Sequence, residues 1–253
     1  MELPRQPRLP VLLLLCTICC FSCSSHDEVS SREAELSGSG GFVPLFDGKT
    51  LKGWSVVPAE TAADWSTRQG TIVGVGSADR LSYLVWQDDK LTDFELILRY
   101  RLLTNGNSGV EIRAQPDTSG KRPFKGYHAD FGHIGIGPNI LGAWDFHFAR
   151  RKEHPCLRGT RLVIDGNETP HHSKIEEALT AADVHPRDWN DVRIIAQGNR
   201  FQFFINGKLS SEFTDNAEQG QLNYGAIALQ LHDKGMHVEF EDLLLKHIPA
   251  EAP

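Results

Sequence analysis

Two short segments concentrate residues that can move protons or hold charge. The first is Gly106-Asn107-Ser108-Gly109-Val110-Glu111-Ile112-Arg113, and the second is Gly126-Tyr127-His128-Ala129-Asp130-Phe131-Gly132. Both alternate with a period of two, the pattern of a half-buried strand. Val110 and Ile112 share one face of the first, leaving Asn107, Gly109, Glu111 and Arg113 on the other. In the second, Tyr127, Ala129 and Phe131 oppose Gly126, His128 and Asp130. A third stretch behaves alike: Ile227, Leu229 and Leu231 alternate with Ala228, Gln230 and His232. With the apolar faces on a common core, the opposite faces carry two acids, two histidines, an arginine and two amides. Such a set supplies general acids and bases together with a two-donor cation for an oxyanion. The glycines among them leave room for a ligand to approach the backbone.

The elements needed to position these groups read as strands. Trp65 to Val75 predicts a hairpin turning at Gln69-Gly70, and Leu81 to Trp86 a short strand. Phe94 to Leu103 puts Phe94, Leu96, Leu98, Tyr100 and Leu102 on one face and Arg99 and Arg101 on the other. Val192 to Phe213 predicts a three-stranded meander with turns at Gly198-Asn199 and Asn206-Gly207; Asn-Gly suits a type I′ hairpin. Gly225 to His232 and Met236 to Lys246 supply the last strands. Lys174 to Ala182 is the one good helix candidate, as a short surface helix, and His171-His172 falls in a polar loop. Many short strands with Gly and Asn turns predict an all-β sandwich, whose concave sheet is a natural carbohydrate site.

The chain has 253 residues, 40% of them hydrophobic and 23% charged, with a formal charge of −7. The acidic balance, with no basic run, argues against a nucleic-acid partner. Four of the five cysteines, Cys16, Cys19, Cys20 and Cys23, lie in the first 23 residues; Cys156 stands alone beyond them, so no disulfide framework is expected. Arg5 and Arg8 precede the apolar stretch Leu9 to Phe21, the layout of a secretory signal. It ends at Phe21-Ser22-Cys23-Ser24-Ser25, which resembles a lipoprotein cleavage site with Cys23 as the lipidated residue. Cys20 stands where such sites usually have leucine, which leaves Cys19, Cys20 and a plain secreted form as alternatives. The expected organisation is a signal over residues 1–22, a polar tether over 23–41 and one domain over 42–249. Contact with a membrane is expected through the lipid anchor only.

A set of motifs points further. Phe46-Asp47-Gly48-Lys49-Thr50-Leu51-Lys52-Gly53-Trp54, Phe94-Glu95-Leu96, Asn107-Ser108-Gly109 with Arg113, and Gly126-Tyr127-His128-Ala129-Asp130 come in order. Asp188-Trp189-Asn190-Asp191, Asn206-Gly207 and Leu229-Gln230-Leu231-His232 complete the set. Together they resemble the bacterial 3-keto-disaccharide hydrolase family, formerly a domain of unknown function. The resemblance implies a concanavalin-like jelly-roll β-sandwich of two antiparallel sheets. Two departures stand out. His128 replaces the usual Glu or Gln, and the segment Ile140-Leu141-Gly142-Ala143-Trp144-Asp145-Phe146 replaces one rich in Gly, Trp and Tyr.

The resemblance implies a substrate whose C3 hydroxyl has become a ketone. The carbonyl acidifies the C2 proton, so a base can generate an enolate, the C1 leaving group departs, and water can add to the resulting enone. Asp130 or His128 would be the base, Arg113 the oxyanion holder and His232 the acid, while Glu111, Asn107, Gln230 and Trp144 would bind sugar. Tyr127 falls on the core face and is expected only to pack. No cofactor or metal is assigned, and His232 and His237 are too isolated for zinc. The residues leave alternatives open. Glu111 and Arg113 also fit a surface ion pair, His232 a strand-end cap, and Asp130 with His128 a site for calcium or another divalent ion. A non-catalytic carbohydrate-binding or adhesion module on the same sandwich is the competing function.

Overall fold

The computed structural model describes residues 41–149 and 151–249. The expected export signal, Cys23 and the tether up to residue 40 lie outside the described residues. Five short strands come first: β1 (Val43–Pro44), β2 (Trp54–Val57), β3 (Trp65–Arg68), β4 (Thr71–Val75) and β5 (Ser82–Trp86). Then follow β6 (Phe94–Leu102), β7 (Ser108–Pro116), β8 (Phe124–Asp130) and β9 (Trp144–His147). After these come β10 (Thr160–Ile164), β11 (Pro170–Lys174), β12 (Asn190–Gln197), β13 (Arg200–Ile205) and β14 (Lys208–Asp215). β15 (Ala226–Leu231) and β16 (His237–His247) close the domain, and among the described residues the helical content is two 3-10 turns, Ala59–Asp64 and Ala181–Asp183.

These strands form two stacked sheets, the expected all-β jelly roll. One runs β11-β10-β14-β13-β12-β6-β16-β4-β3, with β1 also paired to β16; the other runs β2-β5-β15-β7-β8-β9. Pairing is antiparallel throughout except for β10 with β14, which is parallel. That exception follows from the long excursion between β9 and β12, which returns the chain to the sheet edge in the same direction as β14. The turns expected from sequence are present. Gln69 and Gly70 have φ of 49° and 81°, and Asn206 and Gly207 have φ of 49° and 77°, the positive pair that a type I′ turn requires.

The core lies between the sheets and is heavily aromatic. β6 alternates buried and half-buried residues along its whole length, with Phe94, Leu96, Leu98, Tyr100 and Leu102 inside. Phe201 and Phe213 of the larger sheet stack at 4.4 Å, and Tyr127 of the smaller sheet meets them at 4.7 and 5.0 Å. The Tyr127 hydroxyl donates to Asp215 Oδ2 (2.7 Å), which Arg151 also grips (2.8 Å), so the packing role expected for Tyr127 comes with a buried polar anchor. Trp144 was expected to bind sugar. Instead its ring has no solvent exposure and lies edge-on to Phe213 at 5.2 Å, because β9 points Trp144 and Phe146 inward.

The helix expected over Lys174 to Ala182 does not form. The backbone N–H groups of Ile175 and Leu179 donate instead to the carbonyls of Gly159 and Leu209, so pairing with neighbouring strands replaces i→i−4 bonding. Ile175 and Leu179 are thereby buried as a loop, and only Ala181–Asp183 makes a helical turn.

On the outer face of the larger sheet, Arg99 and Arg101 face away from the core as expected and pair with Glu241 and Glu239. Glu239 also takes Arg68 at 2.7 Å. Burial would raise its carboxyl, but Arg101 and Arg68 outweigh this and hold it below its usual range. A depressed carboxylate stabilises the fold above its unfolded pKa of about 4.3 and loses that contribution as pH falls through its folded value. Replacing Glu239 by Gln should therefore flatten the loss of thermal stability on acidification below about pH 4.3, read as the midpoint against pH by calorimetry. Phe213→Ala should cost about 3–5 kcal/mol in urea denaturation, as expected for an aromatic side chain removed from a close-packed core.

Candidate functional site

The outer face of the smaller sheet holds the ionisable cluster. Across β15, β7, β8 and β9, Ala228, Glu111, His128 and Asp145 stand opposite one another in a single row. In the next row are Tyr83, Gln230, Gly109 and Asp130. Gly126 pairs with His147. Two glycines let the long side chains lie flat over the sheet: a Cβ on Gly126 would come within 2.2 Å of Glu111 Oε1, and one on Gly109 within 2.5 Å of His128 Nε2.

The result is a chain of acids and imidazoles. Glu111 Oε2 lies 2.8 Å from His147 Nδ1 and 3.2 Å from His128 Nδ1. Each imidazole meets a further carboxylate through its other nitrogen, His128 Nε2 to Asp130 Oδ1 at 3.5 Å and His147 Nε2 to Asp145 Oδ2 at 3.5 Å. The two rings stack with centroids 5.1 Å apart. Glu111 is 0% exposed and His128 1%. The contacts of His128 to Glu111 and Asp130 lie at ion-pair distance without full hydrogen-bond geometry, and Glu111 Oε1 has no hydrogen-bond partner. Glu111, His128 and His147 each present one ligand atom, all within 4.8 Å of one another, and could hold a metal ion.

Burial opposes the charges on Glu111, His128 and His147, and the neighbours outweigh it. Burial would raise the Glu111 carboxyl, yet His147 and His128 hold it well below the usual carboxylate range. Burial would lower His128, yet Asp130 and then Glu111 push it up. His147 is likewise pushed up against burial by Glu111 and Asp145. Tyr83 is raised by burial first and by Glu111 next, and it also senses Arg122 and Asp130, which places these groups around one patch.

The expected residues are only partly brought together. Glu111, His128, Asp130 and Gln230 share the patch as predicted. Asn107 joins through a bond from Nδ2 to Asp130 Oδ1 (3.1 Å), and Gln230 Nε2 donates to the Tyr83 hydroxyl (3.1 Å). His232 sits at the rim with its side chain 48% exposed. Its Nδ1 lies 2.9 Å from Asp233 Oδ1, and Asp233 Oδ2 in turn accepts from the Asn107 backbone N–H.

Arg113 is the main correction. A bulge in β7 between Ile112 and Gln115, with Arg113 at φ 49°, breaks the alternation and turns its side chain inward. The guanidinium donates to the carbonyls of Leu222 (2.7 Å) and Thr92 (3.1 Å), and lies 4.7 Å from the centroid of the Phe201 ring. At 1% exposure between the sheets it cannot touch a ligand on the outer face. Gly225 permits the crowding, since a Cβ there would stand 2.2 Å from the Arg113 carbonyl carbon.

His147, Asp145, Tyr83 and Arg122 went unanticipated. A signal existed for the first two: Trp144-Asp145-Phe146-His147 alternates with period two, but four residues among glycines and prolines do not announce a strand.

The model of the 3-keto-alpha-glucoside-1,2-lyase-like domain matches residues 41–246. The chain belongs to this family. Among solved structures, a proposed glycosyl hydrolase of Parabacteroides distasonis ATCC 8503 superposes with a TM-score of 0.58 at 17% identity, over 86% of this chain and 97% of that one. A Bacillus subtilis protein with a galectin-like fold gives 0.53 at 12% identity, over 83% and 96%. The carbohydrate-binding module CBM66 of Bacillus subtilis gives 0.51 at 14% identity, over 78% and 98%. At these identities the likeness is one of fold. No curated protein matches the chain.

The flat lie of Glu111 over Gly126 yields a direct test. Gly126→Ala forces the carboxylate out of its pocket and should destabilise the domain by about 1–3 kcal/mol, the range for overpacking. Chemical denaturation beside the parent reads this, and an unchanged midpoint would show that Glu111 has another resting place.

Proposed function

We propose that this chain is an exported, carbohydrate-active enzyme that cleaves 3-keto-glycosides, anchored through a lipid on Cys23. Family membership supports the substrate class. The observation that carries a catalytic reading is the buried acid–imidazole cluster on one sheet face, centred on Glu111, His128 and Asp130. Packing and solubility do not call for so much buried charge, and shifted ionisable groups gather where chemistry is done.

In this reading the sugar lies over Asn107, between Asp130 and the rim histidine His232. Asp130 ends β8 and His232 follows directly on β15, with β7 between them, so they stand about 10 Å apart at the interstrand spacing. Asp130, held by Asn107, takes the C2 proton, and the electron pair moves onto the C3 oxygen as an enolate. Collapse of the enolate breaks the C1–O bond, and His232 gives a proton to the departing oxygen. Water then adds to C1 of the enone, returning a proton to C2. Arg113 has no part in this step because it is buried between the sheets. Arg122, half-buried against Glu153 and with its charge favoured by Glu153, Asp145 and Glu111, is a guanidinium available on this side.

A binding-module reading draws on the fold shared with CBM66 and on the near-complete burial of Glu111 and His128. Turnover separates the two. With a panel of 3-keto-disaccharides, the parent should release free sugar and pass through an enone visible by absorbance. Asp130→Asn should lower turnover at least about 100-fold, the lower bound for a lost general base, while sugar affinity stays within a few-fold. A parent that binds the sugars without releasing product would establish the binding module.

A further inference from the structure

We propose that Glu111, His128 and His147 form a binding site for one divalent first-row transition-metal ion of the zinc type. The first support is the donor geometry. Around a tetrahedral ion with bonds of about 2.0–2.1 Å, neighbouring ligand atoms stand about 3.3 Å apart. Glu111 Oε2 lies 3.2 Å from His128 Nδ1 and 2.8 Å from His147 Nδ1, so small adjustments admit an ion among them.

The second support is what lies behind the ligands. A metal-bound histidine usually gives its other ring N–H to a carboxylate, which fixes the tautomer and aims the lone pair. Both histidines have a carboxylate in that position: Asp130 stands 3.5 Å from His128 Nε2, and Asp145 stands 3.5 Å from His147 Nε2. Asp130 is itself held by Asn107. One such pairing occurs by chance in many sheets, but two converging on the same glutamate oxygen make a built site.

The third support is the unmet bonding capacity. His128 is buried with neither nitrogen hydrogen-bonded, and Glu111 Oε1 is also without a partner. Unpartnered buried polar atoms are costly, and a cation on His128 Nδ1 satisfies that atom while leaving Nε2 to face Asp130.

The donor set also selects the ion. Two imidazoles and one carboxylate suit zinc or its neighbours, whereas calcium takes six to eight oxygens. Three protein donors leave a coordination position for water or a sugar oxygen. The site stands independently of the proposed cleavage reaction, since no step of that reaction passes through the ion.

The test is metal binding by the full-length chain. After chelation and dialysis, Zn2+ added to the protein should bind at one ion per chain and raise the melting temperature. Co2+ in its place should give a visible d–d absorption band. Glu111→Gln and His147→Asn should abolish both signals, and Asp145→Asn should weaken binding about 10–100-fold as a lost partner behind the ligand. His232→Ala, at the rim, should bind like the parent. X-ray absorption on the zinc-loaded parent should report two imidazoles, a readout that needs no variant to fold. Less than one ion per chain, an all-oxygen shell, or full binding in folded Glu111→Gln and His147→Asn would overturn the site. Activity assays stay separate: a parent that binds zinc but cleaves no 3-keto-sugar would refute the proposed function and leave the metal site standing.

Discussion

A carboxylate with no access to water must find its compensation inside the protein, and Glu111 is such a group. Its side chain lies across Gly126 on the outer face of a sheet, flanked by His128 and His147. Removing one partner from a buried charged cluster leaves an uncompensated charge, which is strongly destabilising. The glycines, the pairing of β8 with β7 on one side and β9 on the other, and the carboxylates behind the two imidazoles all serve that single requirement. Asp130 and Asp145 extend the network to both sides, and through Asn107 and Asp233 it reaches the exposed His232.

The inner face of the same strands works under the opposite rule. Tyr127, Phe146 and Trp144 enter a close-packed aromatic core with Phe201 and Phe213. Core packing leaves those strands little freedom to shift, and a one-residue slip would move every polar group of the cluster inside. The rigid core is therefore what holds the outer cluster in register. Arg113 crosses this boundary. Its bulge sends a guanidinium between the sheets, where it joins the Leu222 and Thr92 carbonyls and spans from β7 to the loops before β6 and β15. An arginine expected to meet a ligand is instead a structural tie.

Local patterning made much of this legible. The alternation in β6, β8 and β15 announced both their strands and their buried faces, and Asn206-Gly207 announced its turn. Glu111, His128, Asp130 and Gln230 could be assigned to one face because the pairing is regular between residues 108 and 111, 127 and 130, and 228 and 231. Where the pattern was short or broken, the reading failed. β9 spans only Trp144–His147, so His147 and Asp145 escaped notice and Trp144 was placed on the wrong side. Ile175 and Leu179 bond to strands remote in sequence, which no helical periodicity could foretell.

The amino-acid sequence by itself determined the all-β class, the turns and the polar faces of the long strands, because each depends on neighbours within a few residues. Family membership was likewise legible in the motif order from Phe46 to His232 and is borne out by the match over residues 41–246. Tertiary structure alone decided three things: that Arg113 turns inward, that His147 comes beside Glu111, and that one pair of strands runs parallel. Each depends on partners far along the chain. The acceptors for Arg113 lie on Leu222 and Thr92, the partner of His147 lies on β7, and β10 finds its place beside β14 only when the sheet is assembled.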